Sequence, residues 1–221
     1  VAGEAGSNVE IRSSWGDAEL QVSLLGDFNV ANAMEVLALL LCNDIALDDA
    51  CATIEQVAAP PGRMERVNRS VDDGLPLVYV DYSHTPASLE AALKVLRLHC
   101  KGQLWCVFGC GGDRDRGKRP MMGAVAEHLS DVAIVTSDNP RSEPPEQIIE
   151  EILGGMSNAA ISLADRVDAI SHAVRSASSE DIVLIAGKGH ENYQVFGREI
   201  LPFSDYDEAG KALSGRGAGG S

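Results

Sequence analysis

The segment spanning residues 104–120 reads LWCVFGCGGDRDRGKRP, an apolar run of five residues followed by a glycine-rich polar loop. Three other segments repeat this arrangement: LVYV with DYSHTP (residues 77–86), VAIVT with SDNPR (residues 132–141) and IVLIA with GKGHE (residues 182–191). Short runs rich in Val, Ile and Leu are typical of strands buried on both faces. The four runs therefore predict the strands of one buried sheet.

Helical patterns alternate with these runs, over residues 86–100, 119–129, 145–154 and 166–178, and a last short element covers residues 203–213. Strands that alternate with helices are typical of βαβ units. The predicted fold is α/β, with a mainly parallel sheet and helices on both faces. Because ligands bind outside the carboxyl ends of such strands, we expect the polar loops to form one active-site rim.

The part of the chain before this alternation has a different pattern. We expect residues 1–8 to be loose, residues 9–15 and 19–25 to form a hairpin, and residues 29–43 and 48–58 to be helical. This stretch looks too small to form a sheet core of its own. Since the chain begins with Val, it is expected to be a piece of a longer protein.

The sequence PPG at residues 60–62 is the predicted domain boundary. A strand is expected at residues 63–71, followed by a turn at residues 72–74. The glycine-rich end, residues 215–221, is predicted to be a disordered tail.

Charge and composition exclude several classes of function. The chain has 221 residues, with 33 acidic and 18 basic side chains and a net charge of −15, which argues against nucleic acid as the main partner. No apolar stretch is long enough to span a membrane, and no secretory signal is expected. The five cysteines match no zinc-site spacing, and free cysteines favour a reducing cytoplasm.

The loop at residues 109–120 contains G-x4-G-K, which is nearly a Walker A motif. Arg119 stands where that motif needs the Ser or Thr that holds Mg²⁺, so a Walker A site is not supported. Backbone N–H groups at a helix start, together with nearby cations, favour anion binding. The alternative is a surface turn with ion pairs to Asp113 and Asp115. The cations concerned are Arg114, Arg116, Lys118 and Arg119.

The segment SDNPR places a carboxylate and a guanidinium at the same strand end. Asn139 precedes Pro140 and is therefore biased towards extended backbone, which holds Asp138 and Arg141 at the sheet edge. Arg141 can clamp a carboxylate with two hydrogen bonds, and Asp138 can accept from an ammonium. The pair suits an amino-acid zwitterion, although the segment taken alone favours a turn with a structural Asp–Arg pair.

The remaining two loops carry weaker signals. In GKGHE, glycines allow close approach of a ligand and Glu191 can receive an amino group, but a tight turn explains the segment equally well. In DYSHTP, Asp81 can bind a ribose hydroxyl or Mg²⁺ and His84 can contact a nucleotide. The alternative is that Ser83 or Thr85 caps the next helix and Asp81 supports the loop.

Six motifs taken together resemble the Mur ligase family in the family's own order, and the resemblance runs from about residue 9 to residue 213. It implies a Rossmann-like C-terminal domain at residues 62–214, preceded by the C-terminal remnant of a central ATP-binding domain at residues 1–61. The motifs are GDFNVANA, GRMERV, VDYSHTP, VFGCGGDRDRGKRP, TSDNPR and AGKGHENY.

The resemblance implies an ATP-dependent amide ligation in peptidoglycan synthesis. DNPR resembles the branch that adds meso-2,6-diaminopimelate to UDP-MurNAc-L-Ala-D-Glu through an acyl phosphate. ATP and Mg²⁺ would be bound mainly by a part of the central domain that these residues lack, so the chain alone is expected to be inactive. The resemblance also implies a cytoplasmic monomer that acts on small molecules rather than on nucleic acid or membranes.

The site residues that the resemblance implies fall into two groups, with no catalytic residue or metal ligand assigned. The diaminopimelate contacts would be Arg114, Asp138, Asn139, Pro140, Arg141, Gly187 and Glu191. The ATP contacts would be Asn29, Arg63, Asp81, His84 and Lys118.

Two alternatives remain open from the sequence. One is a folylpolyglutamate synthase-like ligase domain, which shares the reaction type but is not expected to carry DNPR beside GKGHE. The other is a nonenzymatic module that binds a nucleotide or an amino acid. A dinucleotide oxidoreductase is disfavoured because no G-x-G-x-x-G follows the first strand.

Overall fold

A computed structural model describes residues 2–3, 6–68, 74–158 and 160–217. The chain divides into two compact units, residues 1–59 and residues 60–221. This division lies within two residues of the boundary expected after residue 61. The assignment of the units to particular domains remains a prediction.

The first unit is a three-stranded antiparallel sheet with two helices. Its elements are β1 (Ala2–Gly3), β2 (Gly6–Ser13), β3 (Gly16–Val22), α1 (Asp27–Cys42) and α2 (Leu47–Glu55). The predicted hairpin is present as β2 and β3, but β2 already begins at Gly6, so residues 6–8 are not loose.

The expectation that this stretch cannot form its own core is wrong. Side chains from the inner face of the hairpin, including Ile11 and Leu20, pack against Leu37 and Leu41 of α1 and Ile54 of α2. Alternating apolar positions on two strands and one apolar stripe on each helix are enough to bury a small shared core.

The second unit contains a six-stranded sheet in the order β4-β5-β9-β6-β7-β8. Five strands are parallel, and β4 pairs antiparallel at one edge. The strands are β4 (Glu65–Arg66), β5 (Leu77–Asp81), β6 (Leu104–Phe108), β7 (Val132–Val135), β8 (Ile161–Ser162) and β9 (Ile182–Ala186).

Helices cover both faces of this sheet, as predicted. They are α3 (Pro86–Arg97), α4 (Lys118–Leu129), α5 (Pro145–Leu153), α6 (Arg166–Ser176) and α7 (Asp205–Gly217). Apolar residues of α6 and α7 form one cluster with alternate strand residues such as Val78 and Val80. The other three helices contact β6, β7 and β9 and contribute nothing to that cluster, so they lie on the opposite face.

Several sequence expectations need correction. The strand expected at residues 63–71 is only Glu65–Arg66, and residues 69–73 lie outside the described residues. The strand β8 and a hairpin of β10 (Tyr193–Phe196) and β11 (Glu199–Pro202) were not predicted. Across the ranges that the structure describes, every helix is too short or too polar to traverse a bilayer.

The C-terminal tail is shorter than expected. The helix α7 continues through residues 215–217, because Arg216 donates hydrogen bonds to the carbonyls of Val174 and Ala177 and ties the last turn to α6. The rest of the predicted tail, residues 218–221, lies outside the described residues.

Candidate functional site

A cavity of about 290 Å³ opens at the carboxyl edge of the parallel strands in the second unit. Loops that follow β5, β6, β7 and β9 all contribute to its wall. Six of the seven predicted amino-acid contacts line it, together with two of the five predicted nucleotide contacts. The predicted amino-acid contacts that line it are Arg114, Asp138, Asn139, Arg141, Gly187 and Glu191. The predicted nucleotide contacts that line it are His84 and Lys118.

Four predicted residues do not line this cavity. Pro140 is buried against the glycine-rich loop. A Cβ added to Gly112 of that loop would lie only 1.8 Å from the Pro140 carbonyl oxygen. Arg63 and Asp81 lie beside the cavity's Tyr82 edge. Asn29 belongs to the first unit, where its amide donates to the Leu25 carbonyl oxygen at 2.8 Å.

Asp138 is buried at the end of β7, and its carboxylate packs against the backbone of Gly187. Gly187 has φ +120°, and a Cβ at this position would lie 2.7 Å from Asp138 Oδ2. Only glycine fits this backbone and this space without strain. The two loops can therefore approach closely enough to present Asp138 to the cavity.

Arg141 is held by the β10–β11 hairpin in a left-handed conformation with φ +53°. Its N–H donates to the Val195 carbonyl oxygen at 2.9 Å, and its own carbonyl oxygen accepts from the Gly197 N–H at 2.6 Å. The guanidinium Nη1 donates to the Gly112 carbonyl oxygen at 2.8 Å. The unpredicted hairpin thus fixes the guanidinium beside the glycine-rich loop.

Lys188, which is not part of the cavity wall, forms a closed hydrogen-bonded group with two residues that line the cavity, Asn139 and Glu191. Lys188 Nζ lies 3.1 Å from Asn139 Oδ1 and 3.3 Å from Glu191 Oε2, and Asn139 Nδ2 donates to the same Glu191 oxygen at 2.8 Å. Burial lowers the pKa of Lys188, and its carboxylate neighbours Asp138 and Glu191 oppose that effect. Sequence reasoning assigned Lys188 no role, although its position between two glycines marked a tight turn.

A buried ion pair ties two strand ends to the last helix. Arg166 Nε and Nη2 donate to the two carboxylate oxygens of Asp205 at 2.7 and 2.8 Å. The same guanidinium donates to the Ser137 and Ala186 carbonyl oxygens at 3.1 and 3.0 Å. No local pattern predicted this pair, because its members are 39 residues apart.

The cations of the glycine-rich loop divide into two groups. Arg119 is fully buried and donates to Glu143 and Glu151, while Arg116 pairs with Glu151 at the surface. Hydrogen bonds from Arg119 lower the pKa of Glu143 to about 2, and those from Arg116 and Arg119 lower the pKa of Glu151 to about 2. Arg116 and Arg119 are therefore structural rather than anion-binding, and their partners are Glu143 and Glu151 rather than Asp113 and Asp115, which the alternative had named.

Arg114 and Lys118 are the two cations of this loop that line the cavity. Lys118 begins α4, and its ammonium donates to the His84 carbonyl oxygen at 2.6 Å. This contact joins the loop after β6 to the loop after β5. A ligand anion in the cavity would meet these two side chains rather than all four predicted cations.

Asp81 already supports its own loop, as one sequence alternative proposed. One carboxylate oxygen accepts from the Met64 N–H at 2.8 Å and the other from the Ser83 hydroxyl. The next helix is capped by Thr85, whose side chain accepts from the Ser88 N–H at 3.2 Å. A nucleotide role for Asp81 therefore stays a prediction.

Aromatic rings cluster around Tyr82 at the edge of the cavity. The ring centroids of His84 and His190 lie 4.6 and 5.5 Å from that of Tyr82. The guanidinium of Arg63 lies 4.8 Å from the same centroid, within range of a cation–π contact. This cluster offers a polarisable surface at the edge of the cavity, to which Tyr82 and His84 also contribute.

The chemistry available is ionic binding rather than covalent catalysis. Arg114 and Arg141 supply two guanidiniums, while Asp138 and Glu191 supply two carboxylates. Cys110 also lines the cavity, but burial raises its pKa to about 12, so it stays a thiol at neutral pH. Within the described ranges, no three His, Cys, Asp or Glu side chains lie together in a way that could hold a metal ion.

Comparisons with known proteins agree on one group of enzymes. The family model described as "Mur ligase, glutamate ligase domain" matches residues 62–189. The 2,6-diaminopimelate ligases acting on UDP-N-acetylmuramoyl-L-alanyl-D-glutamate from Haemophilus ducreyi and Coxiella burnetii are each 49% identical to this chain, over 95% and 94% of it. The chain spans 42% of the length of each of these relatives.

A solved structure of a 2,6-diaminopimelate ligase of the same name superimposes on this chain with a TM-score of 0.77. That protein is 38% identical in sequence, and the superposition covers 97% of this chain and 44% of the other.

Proposed function

Because this chain belongs to the Mur ligase family, we propose that it supplies the amino-acid site and part of the ATP site of a ligase that adds meso-2,6-diaminopimelate to UDP-MurNAc-L-Ala-D-Glu. The substrate named for its relatives has two carboxylates and two ammonium groups. The cavity offers two guanidiniums and two carboxylates within one small volume. This match of charges is the observation that carries the proposal.

The proposed reaction forms an amide bond in two steps. A carboxylate oxygen of the D-glutamate residue attacks the γ-phosphorus of ATP, and ADP leaves with the electrons of the broken P–O bond. One ammonium group of diaminopimelate first loses a proton to solvent. The resulting amine nitrogen attacks the acyl carbon, orthophosphate leaves with the electrons of the broken C–O bond, and the second proton of the nitrogen also passes to solvent. The second unit contributes by holding the amine in line with the acyl carbon.

Arg141 is assigned to a carboxylate of the incoming amino acid. Its backbone is fixed on both sides by the β10–β11 hairpin, so its guanidinium is positioned before the ligand arrives. Asp138 and Glu191 are assigned to the ammonium at the same end of the ligand. Arg114, which is exposed at the rim, is assigned to the second carboxylate.

Selectivity against lysine follows from this assignment. Lysine lacks the carboxylate at one end of diaminopimelate, so one guanidinium of the cavity would lose its partner. Arg141 is only partly buried, so the loss of a charge-assisted hydrogen-bond partner costs about 1.5–3 kcal/mol, which corresponds to at least ~10-fold weaker binding.

The ATP side of the proposal rests on the Tyr82 cluster and on Lys118. His84, Tyr82 and Arg63 form a surface that suits a nucleotide, and Lys118 lies close enough to His84 to join that surface to the cavity. Mg²⁺ is given no ligand on this chain, since the described residues contain no suitable group of donors.

Isothermal titration calorimetry of the 221-residue chain tests the proposal directly. We expect meso-2,6-diaminopimelate to bind at least ~10-fold more tightly than L-lysine. L-glutamate, which keeps two carboxylates but has one ammonium group, serves as a second control and should also bind more weakly. Equal affinity for diaminopimelate and lysine would contradict the assignment.

A further inference from the structure

Lys188 is a buried charged residue for which the proposed function gives no role. Its side chain has no exposed surface, and it is not part of the cavity wall. We infer that Lys188 is a positioning residue whose ammonium holds Asn139 and Glu191 in the orientation that receives the ligand ammonium. This inference rests on the proposed function of the same site.

The hydrogen bonds of Asn139 show how the orientation is set. Its Oδ1 accepts from Lys188 Nζ at 3.1 Å and from the Val195 N–H at 3.1 Å. Because both of these partners are donors, the amide oxygen must face them. The amide Nδ2 is then directed at Glu191 Oε2, 2.8 Å away. Lys188 and the Val195 N–H thus together select one of the two possible orientations of the Asn139 amide.

Glu191 is held through one oxygen only. Asn139 Nδ2 and Lys188 Nζ both contact Oε2, and among the residues that the structure describes no contact falls on Oε1. Glu191 lines the cavity, whereas Lys188 lies behind it. The second carboxylate oxygen is therefore left for a ligand, and Lys188 acts on that ligand only through its neighbours.

Charge balance gives a second reason for a cation at this place. Asp138 and Glu191 bring two carboxylates to one small cavity, and like charges in a poorly solvated site repel each other. Both carboxylates favour the charged form of Lys188. The ammonium therefore offsets the repulsion between these two carboxylates while no ligand is bound.

The local backbone places Lys188 and Glu191 on the same side of the turn. Gly187 and Gly189, with φ +120° and +52°, allow the chain to reverse around Lys188. The Glu191 N–H then donates to the Lys188 carbonyl oxygen at 3.0 Å, which closes the turn. The ring of Tyr193, centred 5.6 Å from Lys188 Nζ, covers the ammonium from the hairpin side.

A double-mutant cycle in the 221-residue chain tests the inference. Lys188→Met keeps the length and apolar stem of the side chain but removes its charge and donors. We expect Lys188→Met to weaken meso-2,6-diaminopimelate binding at least ~10-fold by calorimetry, since it releases two positioned groups at once. In a Glu191→Gln background the same substitution should weaken binding clearly less than in the unsubstituted chain, because only its contact with Asn139 remains to be lost.

Lys211→Met is the matched control, since Lys211 is an exposed lysine that pairs with Glu208 on α7. It should leave the affinity unchanged. The midpoint of thermal unfolding of each variant separates loss of fold from loss of binding. If Lys188→Met does not fold, Lys188→Gln, which retains one amide donor, replaces it under the same criteria.

The outcomes distinguish this inference from the proposed function. Unchanged affinity in Lys188→Met, or equal effects with and without Glu191→Gln, would overturn the positioning role while the substrate assignment stands. If the unsubstituted chain binds no diaminopimelate, the proposed function fails, and a crystal structure of Lys188→Met decides the inference. Reoriented Asn139 and Glu191 side chains would then support it, and unmoved ones would overturn it.

Discussion

Arg119 and Glu143 form a two-point ion pair beneath the glycine-rich loop, in which Nη1 and Nη2 each lie 2.8 Å from one carboxylate oxygen. The Asp113 N–H also donates to Glu143, at 2.6 Å. The Glu143 carboxylate therefore fixes the start of α4 through Arg119 and the glycine-rich loop through Asp113. The pair fixes the backbone from which Arg114 and Lys118 reach the cavity.

Glu143→Gln should destabilise the fold in a pH-dependent way. The pKa of Glu143 is lowered to about 2 by Arg119, so its contribution is present above the ordinary glutamate range and is lost as pH falls towards 2. At pH 7 we expect a loss of about 1–2 kcal/mol, since charge-assisted hydrogen bonds are lost from a partly exposed acid. Thermal unfolding followed by circular dichroism at pH 7, 4 and 2 measures the difference.

The matched control is Glu146→Gln, an exposed glutamate in the first turn of α5. It should change the unfolding midpoint little at any pH. A Glu143→Gln deficit that is as large at pH 2 as at pH 7 would show that the ion pair is not its cause.

The parallel sheet was predictable because each of its central strands has a recognisable local sequence pattern, an apolar run followed by a polar loop. The hairpin β10–β11 was not, because every residue of Glu199–Pro202 is exposed and the strand ends in a proline. A two-stranded ribbon with one fully exposed strand, and with a polar residue, Gln194, as the buried position of the other, leaves little alternating pattern to detect. This hairpin nevertheless fixes the backbone of Arg141.

The candidate cavity was predictable to the same extent, since the loops that line it follow the predicted strands. The ion-pair and hydrogen-bond partners of the charged residues around this cavity were not predictable. Neighbouring acids in the sequence, Asp113 and Asp115, seemed to suit Arg119, but the buried guanidinium is reached by Glu143 and Glu151 from the α5 region. Arg166 and Lys188 likewise find partners that only the tertiary fold brings near.

Arg141→Ala should weaken binding of meso-2,6-diaminopimelate about 30-fold or more, because loss of a positioned charged partner costs about 2–5 kcal/mol. Calorimetry of the chain measures this change. Arg116→Ala is the control, since Arg116 belongs to the same rim but pairs with Glu151 outside the cavity. Similar losses in both variants would indicate a general effect of positive charge rather than a clamp at Arg141.

Gly187→Ala should reduce both stability and binding. Its φ of +120° is costly for alanine, at about 1–3 kcal/mol, and the added Cβ would lie 2.7 Å from Asp138 Oδ2. We expect displacement of Asp138 to weaken diaminopimelate binding about 10-fold, which is less than the weakening expected when a charged partner is removed altogether. Gly215→Ala, where a Cβ meets nothing within 4 Å, should leave binding unchanged and should not lower stability, because alanine is the better helix former within α7. Full affinity in Gly187→Ala would argue against a role for Asp138.

The cysteines should differ sharply in reactivity. Burial raises the pKa values of Cys106 and Cys110 to about 12, whereas Cys42 is exposed on α1. An aromatic disulfide reagent at pH 8 should therefore modify Cys42 quickly and the two buried thiols only after unfolding. The fast absorbance change should disappear in Cys42→Ser and persist in Cys110→Ser; the reverse pattern would restore Cys110 as a candidate nucleophile.

Product formation by these 221 residues alone is the broadest test, and we expect none. Acyl-phosphate formation needs the γ-phosphate and its metal held in line with the attacking carboxylate. Arg119 replaces the hydroxyl of a Walker A motif, and the described residues offer no group of metal ligands. Mass spectrometry would follow tripeptide product from ATP, Mg²⁺, UDP-MurNAc-L-Ala-D-Glu and meso-2,6-diaminopimelate, with the full-length Haemophilus ducreyi ligase as the positive control. Tripeptide formed by the chain alone would mean that phosphate activation takes place on residues assigned here only to amino-acid and nucleotide binding.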